Sequence, residues 1–127
     1  VRLAREADPA GLDAVLAALG DLTVRGAAAL AEGDGAALGR AMTAAHDGLR
    51  QLGVSTPDLD RLAEAAARAG AFGAKLAGSG GGGVIVAVCP PQDAAHIASA
   101  CRSAGAPWTC EALLEADDQT ATAPGDR

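Results

Sequence analysis

The stretch GAKLAGSGGGGVIVAV, residues 73 to 88, determines how the rest of this chain is interpreted. Positions 78 to 83 are all glycine except Ser79, and the apolar, β-branched run VIVAVC follows at 84 to 89. Such a run is typical of a buried strand, and residues 72 to 77 can form a short strand before it. The sequence therefore predicts two strands joined by a glycine-rich loop.

The glycine-rich loop has the conformational freedom that an anion-binding loop needs. Consecutive glycines allow positive φ and close approach of the backbone to a ligand. A run of inward-turned N–H groups forms a nest for phosphate or another anion, and Lys75 would lie at its entrance. A flexible hairpin connection is the alternative, and the residues by themselves leave the two interpretations open.

Two better-known phosphate motifs do not fit the loop. Its residues satisfy G-x-G-x-x-G literally, but a dinucleotide fingerprint needs a helix after the loop, whereas here a strand follows. No G-K-[ST] closes the loop as it would in a Walker A motif. The motif therefore indicates a glycine-rich turn between strands and no specific nucleotide fold.

Three helices are predicted before the strands. Asp8 can cap the first helix with Pro9 at its first position, and apolar residues recur at helical spacing at Leu12, Val15, Leu16 and Leu19. This helix either ends at Gly20 or, as we prefer, continues to the Gly-Asp-Gly break at 33 to 35.

The next two helices are shorter. One is predicted from about 34 to 52, with Gly53 as its left-handed cap and a packing seam at Leu38, Met42, Ala45, Leu49 and Leu52. Ser55 or Thr56 begins the other, which ends at Gly70 and has an inner face of Leu59, Leu62, Ala66 and Ala69.

One more helix and one more strand are predicted after residue 89. Pro91 and Asp93 open the helix, which continues through Cys101. Trp108, Cys110 and Ala112 alternate with polar residues, which predicts a third strand over 108 to 113 with the Trp108 ring packed over the sheet. Residues 115 to 127 have too little apolar surface to offset the entropy of ordering, so we predict a disordered tail.

These elements predict an α+β fold in which a small antiparallel sheet packs against helices. A chain of 127 residues is one domain by length, and we assign residues 1 to 114 to it. Three strands make a thin sheet, so we expect the domain to lack its first strand, which would come from before Val1.

Composition argues against several classes of partner. The formal net charge is −6, aromatic residues make up 2%, and no basic cluster occurs, which argues against nucleic acid. The apolar runs are short and interrupted, and the N-terminus has no secretory signal, so we expect no membrane partner and a cytoplasmic location. The spacing of the cysteines and histidines predicts small core cysteines and no metal site; these residues are Cys89, Cys101, Cys110, His46 and His96.

Three stretches resemble GHMP kinases, and most closely their mevalonate kinase form. KLAGSGGGG at 75 to 83 resembles the third motif of that form, K-L-T-G-A-G-G-G-G-C, and differs from the third motifs of homoserine kinase, galactokinase and diphosphomevalonate decarboxylase. MTAAHDGLRQLGVS at 42 to 55 resembles M-N-x-N-H-x-x-L-x-x-L-G-V-S. TPDLDRLAEAAARAGAFGAKL at 56 to 76 resembles the segment that joins the two, and the resemblance extends over about residues 1 to 88.

The chain departs from the family pattern at five positions. Ala77, Ser79 and Val84 stand where the glycine motif usually has Thr, Ala and Cys, and Thr43 and Ala45 replace two Asn. The loss of one hydroxyl at Ala77 and the gain of another at Ser79 bear on substrate choice. They leave the fold expectation unchanged.

The resemblance implies the ferredoxin-like C-terminal domain of a GHMP kinase. Mevalonate kinases transfer the γ-phosphoryl group of ATP, with Mg²⁺, to the 5-hydroxyl of mevalonate, which gives 5-phosphomevalonate in isoprenoid biosynthesis. In the family, the ATP phosphate loop, the acid that pairs with magnesium and the catalytic Asp and Lys precede the region matched here. We therefore expect no catalytic residue in this chain and no cofactor bound by it alone. The expected partners are a small-molecule substrate and an N-terminal GHMP kinase domain, missing or on a separate chain.

The resemblance also assigns the candidate site. The loop residues on the substrate and phosphate side are Gly78, Ser79, Gly80, Gly81 and Gly82, with Lys75 beside them. We expect His46 to be a hydrogen-bonded structural histidine rather than a base, His96 to be solvated, and Ser55 to be a helix cap rather than a substrate contact.

The sequence leaves three functions open. The chain is half of a mevalonate kinase that needs its N-terminal domain, or a non-enzymatic regulatory module that binds phosphate or small anions and derives from a GHMP kinase, or a structural remnant that binds nothing. An apolar domain face left uncovered would favour homo-oligomers.

Overall fold

A computed structural model of the protein describes residues 8–78 and 83–114. Its elements, in chain order, are α1 (Pro9–Glu32), α2 (Gly35–Gln51), α3 (Pro57–Arg68), β1 (Gly73–Ala77), β2 (Val84–Val88), a 3₁₀ turn (Pro91–Asp93) and α4 (Ala94–Ser103). The predicted α+β fold, with an antiparallel sheet packed against helices, is confirmed.

The first helix is a single long one, as preferred from the sequence. The Asp8 carboxylate accepts a hydrogen bond from the Gly11 N–H at 3.0 Å, and Pro9 occupies the first turn. The helix continues through Gly20, where no neighbouring atom comes near, and ends at Gly33 with φ at 70°. Glycine is suited to this left-handed cap because it has no Cβ to clash.

The caps of the next two helices are also made by side chains. Asp34 accepts from the Ala37 N–H at 3.0 Å, and Thr56 accepts from the Leu59 N–H at 3.2 Å. The expectation that Ser55 is a cap is therefore wrong, because Thr56 is the residue whose hydroxyl reaches the free N–H groups of α3. Ser55 instead donates to a side chain within that helix.

Helix α2 lies between α1 and β1, and glycines bring it close to both. A Cβ atom built at Gly48 would lie 2.9 Å from the Leu19 side chain on α1. On the other side, a Cβ at Gly39 would lie 2.2 Å from the carbonyl carbon of Phe72, and a Cβ at Gly73 would lie 1.9 Å from the carbonyl oxygen of Gly39. The backbones of α2 and β1 are thus in direct contact, which only glycine at both positions allows.

The two strands form one antiparallel hairpin with one face toward the helices. Ala74 pairs with Ala87 and Leu76 with Ile85, and these residues face the helices, with Leu76 only 2% exposed. The core beneath them is small and rich in alanine, and it comprises Ala63, Ala66, Ala74, Ile97 and Cys101. The predicted packing of Cys101 in the core is confirmed, whereas Cys110 is exposed and that part of the cysteine prediction is wrong.

The predicted third strand over 108 to 113 is wrong for the described residues. This segment is irregular, the sheet consists of β1 and β2, and the Trp108 side chain is 62% exposed rather than packed over the sheet. A strand requires a neighbouring strand to accept and donate its backbone hydrogen bonds. Alternating apolar residues indicate that a segment suits a sheet but do not supply that neighbour. The predicted tail from 115 to 127 and the predicted strand before Val1 lie outside the described residues.

Helix α1 corrects the interpretation that the apolar runs of the chain are too short and interrupted to cross a membrane. It has 24 residues, and an 18-residue window within it has a mean hydropathy of 1.5 and at most two charged residues. The core helix of a soluble protein and a signal sequence have the same properties, so one such helix is weak evidence. Most of its side chains are exposed, Val24 among them at 71%.

Replacement of Gly39 by alanine tests the contact between α2 and β1. The added methyl group meets backbone rather than a flexible side chain, so α2 must move, and we expect G39A to lower the free energy of unfolding by about 3 kcal/mol. Urea unfolding followed by circular dichroism measures the change. The matched control is G20A, at a helical glycine with no atom within 4 Å, where we expect a gain of up to about 1 kcal/mol. Equal midpoints for G39A and the wild type would contradict the close backbone contact.

Candidate functional site

The glycine-rich loop connects the adjacent ends of β1 and β2. Ala77 and Val84 are the last pair of the hairpin, and the flanking residues Gly78 and Gly83 have φ values of 97° and 108°. Both values lie in the region that favours glycine. The hairpin predicted from the sequence is confirmed. Ser79, Gly80, Gly81 and Gly82 lie outside the described residues, so their ligand role stays a prediction.

Lys75, the other residue assigned to the loop, lies on β1 opposite Val86. Its side chain is half-buried, and its ammonium group donates a hydrogen bond to the Leu76 carbonyl oxygen at 2.7 Å. The charge is therefore held at the backbone of β1, two to three residues before Gly78. The role of Lys75 toward a ligand also stays a prediction.

A polar network connects this hairpin to the helices below it, with His46 at its centre. The His46 Nδ1 atom lies 3.1 Å from the Leu76 backbone nitrogen, and Nε2 lies 2.9 Å from Asp60 Oδ1. A backbone N–H can only donate, so Nδ1 must be the acceptor, and Nε2 carries the proton that is donated to Asp60. The interpretation of His46 as a structural, hydrogen-bonded histidine is confirmed.

Asp60 on α3 accepts two hydrogen bonds and forms one ion pair. Besides His46, the Ser55 hydroxyl donates to Oδ1 at 2.7 Å, and the Arg50 Nε–H lies 3.2 Å from Oδ2. Burial acts to raise the pKa of Asp60, but the hydrogen bonds from Ser55 and His46 and the charge of Arg50 outweigh it, and the pKa is lowered from 3.8. Asp60 is therefore ionised at neutral pH.

The sequence indicated part of this network. His46 was considered as a structural histidine or a base and Ser55 as a helix cap or a substrate contact, but Asp60 and Arg50 were missed. The sequence does not distinguish Asp60 from other acidic residues, because it lies one helical turn after the cap Thr56, where acidic residues are common. Which side chain its carboxylate meets depends on how α2 and α3 pack.

The other reactive side chains in the described part of the chain lie apart from one another. Within residues 8–78 and 83–114 no three of His, Cys, Asp and Glu are grouped so that they could hold a metal ion. Burial raises the pKa values of the Cys89 and Cys101 thiols, with the charges of Asp93 and Glu111 adding to the effect at Cys89. His96 is exposed, as expected.

The hairpin, the loop and the helices beneath it match a known family. The model for the C-terminal domain of GHMP kinases matches residues 27 to 107. The chain belongs to this family. In the GHMP kinases this domain is the C-terminal part, which implies an N-terminal partner domain.

Individual relatives include two kinds of kinase. The chain is 42% identical to a galactokinase of Mycobacterium tuberculosis (strain ATCC 25618 / H37Rv) over 79 residues, which are 61% of this chain and 22% of the galactokinase. It is 47% identical to a mevalonate kinase of Thermococcus onnurineus over 68 residues, which are 54% of this chain and 20% of that kinase. The chain thus spans about a fifth of these relatives. Its relatives thus include both a galactokinase and a mevalonate kinase.

A solved structure supports the fold. The crystal structure of L. major mevalonate kinase in complex with R-mevalonate superimposes with a TM-score of 0.75 at 26% identity. The match covers 80% of this chain and 32% of the L. major chain.

Replacement of Asp60 by asparagine tests the charge in the network. Because the folded pKa lies below 3.8, the carboxylate contributes stability fully above pH 3.8, and this contribution is lost as the pH falls through the lower folded value. We expect D60N to lower the free energy of unfolding at pH 7 by about 1 kcal/mol and to flatten its decline below pH 4. Urea unfolding from pH 7 to pH 3 measures both effects.

The control for that experiment is D58N. Asp58, like Asp60, lies in the first turn of α3, and it pairs with Arg61 at 2.8 Å. Its side chain is far more exposed than that of Asp60. An exposed pair contributes little, so we expect D58N to follow the wild-type pH profile. Identical acid profiles for D60N and the wild type would show that the Asp60 charge does not stabilise the fold.

Proposed function

We propose that this chain is the C-terminal portion of a mevalonate kinase that acts in the cytoplasm and, with its N-terminal domain, phosphorylates mevalonate to 5-phosphomevalonate in isoprenoid biosynthesis. The observation that carries the proposal is the K-L-x-G-x-G-G-G-G sequence, which begins on β1 and ends at Gly83, the residue before β2. The fold around it is similar to that of a mevalonate kinase solved with R-mevalonate.

The loop contributes backbone amides to phosphoryl transfer. This reaction depends on positioning and on stabilising the charge of the transferred group rather than on covalent chemistry by the protein. In the proposal, the N–H groups of 78 to 82 line the substrate and phosphate side of the cleft, and Lys75 adds positive charge beside them. Glycine is required because any Cβ would keep the backbone away from the ligand.

The remaining catalytic parts come from the N-terminal domain. The reaction uses ATP and Mg²⁺, and the described residues provide no carboxylate cluster suited to that ion. We therefore assign the magnesium ligands, the ATP phosphate loop and the catalytic acid and base to the partner domain. The chain alone is expected to be inactive.

The surface of the domain is suited to a partner. Apolar side chains are exposed on α1, at Leu16, Val24 and Leu30, and on the outer face of the sheet, at Val84 and Val86. Exposed apolar area of this kind usually marks an interface. An N-terminal domain that covers part of it accounts for the exposure.

Galactokinase activity is the second candidate. It is favoured by the longer galactokinase match, 79 residues against 68. Both activities transfer a phosphoryl group to a hydroxyl of a small molecule, so they share the loop and differ in the groups that face the substrate.

ADP release by the chain mixed with the N-terminal domain of a mevalonate kinase tests the proposal. We expect release that depends on mevalonate in the mixture and none from either part alone. A loop variant, G80A, should lower the rate at least tenfold, because one misplaced amide of an anion-binding loop costs that much or more. G20A, in an open position on α1, is the control and should retain the rate.

The alternatives give different results in the same experiment. Activity of the chain alone would refute the assignment of the catalytic groups to the partner domain. Release that depends on galactose and not on mevalonate would favour the second candidate. No release, together with binding of inorganic phosphate or ADP that G80A abolishes, would indicate a non-enzymatic anion-binding module.

A further inference from the structure

The His46 side chain connects three elements at the base of the glycine-rich loop. It extends from α2, donates to Asp60 on α3 and accepts from the Leu76 N–H on β1. The imidazole is buried, with a relative exposure of 6%. Leu76 lies two residues before Gly78, so the bond to Nδ1 holds the strand close to where it enters the loop.

The backbone of Leu76 has no substitute for this bond within the hairpin. Leu76 is opposite Ile85 on β2, yet its N–H is directed to His46. In an antiparallel pair, alternate residues direct their N–H groups away from the partner strand. The imidazole therefore occupies the position that a further strand or a water molecule would otherwise take.

We propose that His46 is a pH-sensitive positioning residue for the end of β1 that leads into Gly78: the neutral imidazole holds the Leu76 amide, and protonation at Nδ1 releases it. A proton on Nδ1 turns the acceptor into a donor that faces another donor at 3.1 Å. The bond to Asp60 survives the same change, because Nε2 carries its proton in both states.

Charged groups on two helices lie around His46. Asp60 and Glu64 on α3 and Asp47 on α2 line the same pocket as His46, and Asp60 is the one in direct contact. Arg50 on α2 also lines this pocket and forms an ion pair with Asp60 at 3.2 Å. On β1 the nearest charge is Lys75, whose ammonium group is bound to the Leu76 carbonyl oxygen.

Loss of the hydrogen bond from the Leu76 N–H weakens the attachment of β1 close to the loop. With the Leu76 N–H free, the remaining backbone hydrogen bonds at this end of β1 are those to β2, and the strand loses its hydrogen bond to α2 two residues before Gly78. The effect on phosphate transfer rests on the proposed function, whereas the effect on the Leu76 amide does not.

Amide hydrogen exchange of the 127-residue chain, followed by NMR between pH 5 and pH 8, tests the release. After correction for intrinsic exchange rates, we expect the protection of the Leu76 amide to fall about tenfold as His46 becomes protonated, as for the loss of one buried hydrogen bond. The imidazole ¹⁵N shifts of His46 should show Nε2–H at high pH and should titrate with the same midpoint. Leu76 protection that stays constant across the His46 titration would overturn the proposal.

Two substitutions at His46 separate its two contacts. In H46N the carboxamide oxygen lies near the position of Nδ1, so the variant should keep the protection of Leu76 and lose its pH dependence. In H46Q the carboxamide lies near Nε2, so Leu76 should be unprotected at every pH. Protection that varies with pH in H46N as in the wild type would refute the role of His46.

The control is H96N. His96 lies on the exposed side of α4 and has no part in the network, so H96N should reproduce the wild-type profile. If H96N removes the pH dependence instead, the sensor is not His46.

A second measurement distinguishes this proposal from the proposed function. Where mixing with the N-terminal domain gives ADP release, the rate should fall at low pH more steeply for the wild type than for H46N. Absence of release at every pH, with the Leu76 profile as expected, would reject the kinase assignment and leave the positioning role standing. Equal pH profiles for the two proteins would show that the release does not affect catalysis.

Discussion

The contact between the backbones of α2 and β1 is the constraint on which the rest of the structure depends. Gly39 and Gly73 have no side chains, and this lets the helix lie directly on the strand. At that short separation the imidazole of His46, two turns further along α2, reaches the Leu76 N–H. With any larger residue at either glycine, the helix would stand further off and this hydrogen bond would be lost.

The same close packing explains the character of the core. Helices α3 and α4 place alanine, isoleucine and cysteine against the inner face of the hairpin. Small side chains suit a thin layer in which helix and sheet approach closely, but each one buries little apolar area. A core of this kind leaves apolar residues exposed on α1 and on the outer face of the sheet, as expected for a domain that packs against another.

Much of the fold could be predicted from local patterns. The three helices before the hairpin, the long course of α1, the two strands and the helix after Pro91 all have signals within a few residues, namely caps, helical apolar spacing and β-branched runs. The prediction of a strand over 108 to 113 was wrong. Its alternation is a local property, but the neighbour that a strand needs is not.

The candidate site was also predictable only in its local part. The glycine-rich loop and its family are evident from consecutive residues, because the run of glycines and its neighbours match the family pattern. Which side chains support the loop was decided by tertiary structure. Asp60 and Leu76 follow His46 by 14 and 30 residues in the chain. Only the packing of α2 and α3 on β1 brings both within hydrogen-bonding distance of its imidazole. The sequence by itself determined the elements and the motif, whereas the long-range packing determined which donors and acceptors meet.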